Sequence, residues 1–265
     1  NKNYLQGGIY VEPYAGGASI ALSLLIEGYA SKVIINDKDK SVYAFWYCVL
    51  NYPAELCSLI RKTPVNLNVW KKQKMIQKKK EKTGLLKLGF STFFLNRTNR
   101  SGIMNAGVIG GKNQQGKWTI NARYKKEELI ERIKKIAQYK DKIELFNMDA
   151  VDLVKILKEQ LSENTLIYLD PPYCNKGKEL YMNYYADTDH EIIAKEITKV
   201  KKQKWIITYD DAELIKKLYK NNKQRKYLLS YSAGKRKQGN ELMIFSNNLR
   251  ILESLPVQQN KENFV

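Results

Sequence analysis

Short apolar runs alternate with helical periodicity at both ends of the chain. Apolar segments at 9–11 and 33–35 predict two buried strands, and the stretch 18–28 between them predicts a helix that ends at Gly28. After residue 140 the alternation returns, with strands expected at 143–146, 166–169, 205–208, 227–231 and 242–245, and helices at 150–161, 189–202 and 211–220. This pattern predicts a mostly parallel α/β sheet covered on both faces, with its last two strands forming an antiparallel edge hairpin.

The middle third of the chain interrupts this alternation. From about residue 52 to residue 139 the pattern consists of helices studded with lysine, which enclose a Gly/Asn-rich stretch at 96–116 with little helical character. We therefore expect one domain built from residues 1–51 and 140–265, with residues 52–139 inserted into it as a second domain.

The positive charge of the chain is concentrated in this insertion. The net charge is +19, and residues 52–148 hold 22 basic against seven acidic residues, whereas residues 1–51 hold four of each. A lysine-rich genome would raise the charge everywhere, so the concentration favours a polyanionic partner, with nucleic acid ahead of a membrane surface. No segment approaches the roughly 18 consecutive apolar residues that span a bilayer.

One histidine and three scattered cysteines restrict the chemistry available to the chain. His190 alone cannot form a multi-histidine metal site, and Cys48, Cys57 and Cys174 lack the spacing of a disulfide framework or a zinc site. We therefore predict no metal centre and a reducing compartment. His190 is expected in the first turn of a helix, without a catalytic role.

A turn of small residues follows the first predicted strand. Its sequence is Glu12-Pro13-Tyr14-Ala15-Gly16-Gly17-Ala18-Ser19, in which glycines allow a ligand to approach the backbone and leave helix amides available. Asp37 ends the next strand, where a carboxylate can accept both ribose hydroxyls of a nucleotide. The turn has neither a Gly-Lys-Ser/Thr sequence nor a full Gly-x-Gly-x-x-Gly pattern, so tight packing remains a second interpretation.

The segment Asp170-Pro171-Pro172-Tyr173 follows another buried strand and is more specific. Two prolines give a rigid loop without donor amides, so the Asp170 carboxylate and the Pro171 carbonyl are both acceptors. Two acceptors beside the flat ring of Tyr173 suit a planar amine, which donates two N–H groups and stacks on the ring. A simple strand-to-proline turn would not require an aspartate first and an aromatic residue last.

These two segments, in this order, resemble the alpha-class, Dam-type DNA adenine methyltransferases. The stretch 94–102 resembles the recognition segment of that family, and with Trp118–Tyr124 it flanks the family's DNA-contacting β-hairpin. The resemblance covers nearly the whole chain. It implies a Rossmann-like class I methyltransferase sheet with a helical plus β-hairpin target-recognition insertion. It also implies methyl transfer from S-adenosylmethionine (SAM) to the N6 amino group of an adenine flipped out of duplex DNA.

The resemblance also assigns roles to individual residues. The catalytic positions are Asp170, Pro171, Pro172 and Tyr173. The cofactor-binding positions are Glu12, Pro13, Tyr14, Gly16, Gly17, Asp37, Asp149 and Asp170. The DNA-contacting positions are Asn96, Arg97, Asn99, Arg100, Ile103, Met104 and Arg123, of which Ile103 or Met104 would wedge into the base stack. Most of the lysines at 71–82 are expected to contact phosphate or to remain solvated.

The chain departs from the family pattern at two points, and other functions remain open. Ala18 stands where the family often has a second glycine, which is expected to reshape the cofactor turn slightly. The family's N-terminal Trp-x-Gly-x-Lys segment is absent, so we expect the chain to bind SAM weakly or not at all. The alternatives are cytosine amino-methylation, action on RNA, and a catalytically silent DNA-binding subunit. A cytoplasmic protein of a prokaryote or phage, with a cognate restriction endonuclease as a further partner, fits the family.

Overall fold

The computed structural model describes residues 3–174, 185–231 and 237–251. The chain divides into two compact units, one made of Asn1–Asp37 with Lys142–Val265 and the other of Lys38–Asp141. The second unit begins at Lys38 and not at residue 52, because the helix Lys40–Asn51 packs against the helix Leu85–Thr98 of the insertion. The functional division into a catalytic domain and a recognition domain stays a prediction.

The first unit is built on a twisted sheet whose seven described strands have the order β3-β2-β1-β4-β5-β7-β6. Strands β1 to β5 pair in parallel, and β7 pairs antiparallel with both β5 and β6. The mostly parallel α/β sheet with an antiparallel edge hairpin is therefore confirmed. The strands are β1 (Gly8–Glu12), β2 (Ala30–Asn36), β3 (Ile143–Phe146), β4 (Thr165–Leu169), β5 (Lys204–Asp210), β6 (Lys223–Tyr231) and β7 (Lys237–Phe245).

Helices of the first unit bury apolar faces against this sheet. Leu153, Val154 and Leu157 lie on one face of their helix at helical spacing and are almost fully buried with the strand residues Ile167 and Ile207. The helices are α1 (Ser19–Ile26), α7 (Ala150–Gln160), α8 (Asp187–Ile197) and α9 (Glu213–Leu218). Each lies between two strands of the chain, which gives the alternation expected from the sequence.

The second unit is helical. Its helices are α2 (Lys40–Asn51), α3 (Pro53–Lys62), α4 (Leu67–Lys78), α5 (Leu85–Thr98) and α6 (Lys126–Ala137). Helix α5 is central, since residues 88–95 are buried without interruption. A Cβ built at Gly89 would lie 2.5 Å from the Ala44 carbonyl oxygen, so glycine is required for α2 and α5 to pack this closely.

The segment 99–125 differs from the expected β-hairpin. It contains one antiparallel bridge, Asn99 with Val108, and is otherwise a series of turns. Ser101 and Gly102 have φ values of +53° and +71°, which turn the chain sharply before a ladder can extend. The sequence resemblance predicted strand pairing here, and the structure replaces it with a compact loop closed by a single bridge.

None of the helices in the described part of the chain is long and apolar enough to cross a membrane.

Candidate functional site

The carboxyl ends of β1 and β4 lie side by side in the first unit. These strands pair in parallel, and the chain leaves β1 towards β2 on one side and β4 towards β5 on the other. In open α/β sheets ligands bind at such a topological switch point. The two ends carry Glu12 and Asp170, so the two segments selected from the sequence are brought to one place.

The glycine turn after β1 has the backbone of a ligand-binding turn. Gly16 has a φ of +48°, and its amide donates to Asp37 Oδ2 at 3.1 Å. A Cβ built at Gly16 would meet no heavy atom within 4 Å, so open space lies beside the turn. Ala18 has a φ of +47°. The alanine therefore adopts a left-handed conformation that a glycine adopts at a lower energetic cost.

Asn36 was not predicted and ties two loops of this site together. Its fully buried amide donates from Nδ2 to Pro13 O at 2.8 Å and to Met148 O at 3.1 Å, while its Oδ1 accepts the Met148 amide at 3.0 Å. Asp149 follows directly, caps α7 by accepting the Val151 amide, and is half-buried. An asparagine that ends an apolar strand is the sequence signal that could have identified it.

Glu12 is a buried carboxyl group. Its Oε1 accepts the Tyr10 hydroxyl at 3.1 Å and the Ala21 amide at 3.2 Å, and the side chain is 5% exposed. Burial raises the pKa of Glu12 to about 7, and the neighbouring Asp170 adds to the effect. Glu12 is therefore placed to hold a proton at the base of the site.

This raised pKa predicts a specific pH dependence of stability. An unfolded glutamate titrates at about 4.3, so between that pH and about 7 the folded chain binds more protons than the unfolded chain. The free energy of unfolding contributed by Glu12 therefore falls as pH rises through this window. Glu12→Gln keeps an acceptor oxygen and should match the wild type at pH 5 but exceed it by about 1–3 kcal/mol at pH 8.

Chemical denaturation of both proteins at the two pH values measures this difference. Glu27→Gln is the control, because it removes a carboxyl group that is exposed instead of buried. A Glu12→Gln difference that does not change with pH would contradict the assignment.

Asp170 is held by a threonine of the neighbouring strand. Thr208 Oγ1 donates to Asp170 Oδ1 at 2.7 Å, and Tyr168 and Thr208 share a hydroxyl–hydroxyl hydrogen bond of 3.1 Å. Pro171 and Pro172 are buried. The carboxyl group therefore has a fixed orientation, and the two prolines fix the backbone that follows it.

The Tyr173 side chain and the backbone of the next residue are both hydrogen-bonded to acidic side chains. The Tyr173 hydroxyl donates to Glu241 Oε1 at 2.6 Å, and the Cys174 amide donates to Asp210 Oδ1 at 2.8 Å. Asp210 ends β5, and Glu241 lies beside it on β7. Sequence reasoning gave neither residue a part in the site, as it gave none to Thr208. Acidic residues bordering the apolar runs 205–209 and 242–245 are the signal that was available.

Tyr14 and His190 complete an aromatic layer beside the turn. Tyr14 and Tyr185 share a hydroxyl–hydroxyl hydrogen bond of 3.0 Å, and His190 Nδ1 contacts the Tyr209 hydroxyl at 3.2 Å. His190 is fully buried in the first turn of α8, and burial lowers its pKa. This is the structural role expected from the sequence.

The second unit brings two predicted DNA-contacting arginines together. Tyr124 packs its ring 5.5 Å from Phe93 and 5.4 Å from Phe94 of α5, which places Arg123 near the end of that helix. Arg97 is 8% exposed, and burial together with Arg123 and Arg132 lowers its pKa to about 10. Among the described residues Arg97 has no hydrogen bond or ion pair, so an anion would complete this cluster.

Asn99 lies inside the loop instead of on its surface. Its side chain is fully buried, accepts Trp70 Nε1 at 2.7 Å, and donates to the carbonyls of Ile103 and Met104 at 2.8 and 3.0 Å. These three hydrogen bonds fix the tip of the loop and use the side-chain amide of Asn99 inside the protein. Its assignment as a DNA contact stays a prediction that this placement does not favour.

The remaining predicted contacts lie around this tip. Arg100 is exposed, and Asn96, Ile103 and Met104 are half-buried. The lysines at 71–82 are not uniformly solvated: Lys74 Nζ donates to Met104 O at 2.7 Å, and Lys80 pairs with Asp39 at 3.1 Å. These two lysines stabilise the unit internally and are exceptions to the role expected for most of the segment, which stays a prediction.

No group of three or more His, Cys, Asp and Glu side chains within residues 3–174, 185–231 and 237–251 is arranged to hold a metal ion.

Comparison with known proteins identifies the family. Residues 1–231 match the family described as D12 class N6 adenine-specific DNA methyltransferase. The chain belongs to that family. Membership confirms the expected SAM cofactor, the DNA substrate and the adenine-specific amino-methylation. No curated protein matches the chain by sequence.

Solved structures with a similar fold are distant in sequence. The SAM-dependent methyltransferase from Agrobacterium tumefaciens is 9% identical over 91% of this chain and 56% of its own, with a TM-score of 0.42. An rRNA methyltransferase from Streptomyces viridochromogenes is 11% identical over 91% of this chain and 76% of its own, with a TM-score of 0.38. The family assignment rests on the sequence match and not on these structures.

Proposed function

We propose that this D12 class methyltransferase methylates the N6 amino group of an adenine that it flips out of duplex DNA, using the residues at the ends of β1 and β4. The observation that carries this proposal is the position of Asp170-Pro171-Pro172-Tyr173 at the switch point of the sheet. The segment is fixed by the Thr208–Asp170 hydrogen bond and lies beside the glycine turn after β1, whose Gly16 amide bonds Asp37. An aspartate at the first position favours a DNA amino group over the RNA and protein substrates that usually pair with asparagine there.

The turn after β1 would bind SAM. Open space beside Gly16 supports this role, because a ligand could approach the backbone there, and Asp37 at the end of β2 would accept the ribose hydroxyls. Glu12, Pro13, Tyr14, Gly17 and Asp149 would line the same cofactor site. SAM supplies an activated methyl group on a positively charged sulfur.

Asp170 and Pro171 would activate the amine. The adenine amino group is a poor nucleophile because its lone pair is delocalised into the ring. When the Asp170 carboxylate and the Pro171 carbonyl accept its two N–H groups, the nitrogen moves towards tetrahedral geometry and the lone pair is released. The Asp170 carboxylate then stabilises the positive charge that develops on nitrogen as this atom takes the methyl group from the sulfur of SAM. The proton that the methylated nitrogen must lose passes along its hydrogen bond to Asp170 and from there to solvent. Pro172 fixes the loop and Tyr173 stacks on the base.

Base flipping requires that the DNA be held elsewhere, and the second unit supports that role. Unstacking a base costs a few kcal/mol. Buried Arg97 and half-buried Arg123 form a fixed cationic pair suited to a phosphate, whereas exposed Arg100 is suited to base edges, with Asn96 nearby. Ile103 or Met104, at a tip held by Asn99 and Lys74, would wedge into the base stack.

The substrate also suggests the cellular setting. Chromosomal or phage DNA is methylated in the cytoplasm of a prokaryotic cell, and we place the enzyme there. A cognate restriction endonuclease is the partner that such a modification would protect against.

Expression of the full-length protein in a host without DNA methylation tests the function. Sequencing of modified bases should reveal N6-methyladenine at one recurring sequence. Methylated cytosine would instead support cytosine amino-methylation. DNA binding without any modified base would support the catalytically silent subunit, and methylation confined to RNA would overturn the proposal.

A further inference from the structure

Tyr173 is anchored by a carboxyl group that lies outside the catalytic segment. Glu241 is 1% exposed in the middle of β7, and its Oε1 accepts the Tyr173 hydroxyl at 2.6 Å. Its Oε2 accepts the hydroxyl of Tyr227 on β6. Each oxygen of this buried carboxyl group therefore receives a phenolic proton, one from the catalytic loop and one from the edge strand.

A core with this carboxyl group is costly to build. Glu241 lies directly opposite Asp210 across the β5–β7 pair, and Asp210 is itself 5% exposed. Like-charged side chains on directly opposite strand positions are destabilising. Burial also removes a carboxyl group from water, a cost that an apolar side chain does not have. Both acidic groups hold the same short segment, since Asp210 accepts the amide of Cys174. Packing alone does not account for two acidic residues at this place.

We propose that Glu241 is a positioning residue that sets the ring plane of Tyr173 against the flipped base. A tyrosine has two side-chain torsions, and fixing its hydroxyl removes the freedom to tilt that the loop alone would leave. The inference rests on the proposed function, because it gives Tyr173 a base to stack on. Glu241 touches neither substrate nor cofactor in this role.

Misplacement of the ring should lower kcat more than it raises KM for DNA. A displacement of about 1 Å in a substrate-positioning group can cost up to about a hundredfold in rate. Glu241→Met removes both acceptors at similar length and should reduce kcat by about ten- to a hundredfold. Tyr173→Phe removes the same hydrogen bond but keeps the ring, so it should show a comparable loss. Glu241→Gln keeps one acceptor and should recover part of the activity.

A double-mutant comparison separates positioning from fold stability. If Glu241 acts through the Tyr173 hydroxyl, then Glu241→Met should cost no more than about threefold in a Tyr173→Phe background. Tyr227→Phe is the matched control, because it removes the other phenol from the same carboxyl group, and should stay within about twofold of wild type. Tyr173→Phe needs no buried charge change and keeps the test available if Glu241→Met does not fold.

The experiment measures steady-state methyl transfer from labelled SAM to duplex DNA, with 2-aminopurine at the target position as a second probe. We expect altered 2-aminopurine fluorescence in Glu241→Met and Tyr173→Phe and the wild-type signal in Tyr227→Phe. Wild-type rates in Tyr173→Phe, an additive loss in the double variant, or an equal loss in Tyr227→Phe would each overturn the inference alone. A wild type that methylates no adenine overturns the proposed function, and the inference with it.

Discussion

Asp170→Ala should lose about a hundred- to a thousandfold in methyl transfer while its affinity for duplex DNA stays close to that of the wild type. The variant removes an acceptor for the amine and the charge that stabilises the transition state, and a preorganised group of this kind is worth that much in rate. Asp170→Asn keeps an acceptor oxygen for the amine but loses the negative charge, so its loss should be smaller than that of Asp170→Ala. Thr208 holds Asp170 Oδ1, so little relaxation is available to compensate.

Methyl transfer from labelled SAM and a DNA-binding titration at fixed salt should be run side by side. Asp152→Asn is the matched control, since Asp152 is exposed and pairs only with Lys155 among the described residues. Unchanged transfer by Asp170→Ala would refute the mechanism. A parallel loss of DNA binding would mean that Asp170 supports the fold more than the reaction.

The sheet and its two chemical segments could be predicted because each depends on local sequence. Apolar runs such as Val33–Ile35 are buried on both faces, and this pattern is readable without tertiary information. The segments at Glu12 and Asp170 follow such strands directly. Their proximity then follows from parallel pairing, because adjacent carboxyl ends lie at one edge of the sheet.

The residues that hold these segments could not be predicted in the same way. Thr208 and Glu241 lie 38 and 68 residues from the groups that they bond. The role of Thr208 depends on the β4–β5 pairing and that of Glu241 on the β5–β7 register, neither of which a single sequence specifies. A carboxyl group beside an apolar run indicates a polar side chain at the edge of the core, but its hydrogen-bond partner can be identified only in the folded sheet.

The recognition loop shows a different limit. Asn99 was assigned to DNA from its place in the recognition segment, yet it is buried and bonded to Trp70, 29 residues earlier. The same segment was expected to form a hairpin, but left-handed backbone at Ser101 and Gly102 closes it as a compact loop. Polar side chains in Gly/Asn-rich loops often form hydrogen bonds to the backbone of the loop itself, so their presence does not by itself indicate a ligand contact.

Arg97 should destabilise the free protein and stabilise its complex with DNA. Burial and two nearby arginines lower its pKa to about 10, which means that the folded second unit disfavours this positive charge. At about 1.4 kcal/mol for each tenfold change in proton affinity, the cost is on the order of 1–3 kcal/mol. Such a cost at a predicted contact is typical of sites that are completed by a ligand of opposite charge.

Replacement of Arg97 by methionine should therefore move stability and affinity in opposite directions. Arg97→Met keeps the buried length without the charge and should raise the free energy of unfolding by about 1–3 kcal/mol. It should weaken duplex binding by about ten- to a hundredfold, because a charge-assisted hydrogen bond is worth about 1.5–3 kcal/mol, and reduce the salt dependence by about one phosphate contact. The control is Lys87→Met, which removes an exposed lysine of the same helix. It should change the free energy of unfolding little, and it should weaken DNA binding by less than Arg97→Met does.

Denaturant titrations without DNA and binding titrations at three salt concentrations measure the two effects in the same samples. A stabilised variant with wild-type affinity would show that Arg97 is only an unfavourable buried charge, and that DNA binds elsewhere on the second unit. A destabilised variant would show that its guanidinium holds α5 to the segment around Arg123. The expected combination is a variant with higher stability whose DNA binding is weaker and less salt-dependent. Only this combination supports a phosphate site at Arg97, because a buried cation without a partner destabilises the free protein and is favourable only when an anion binds to it.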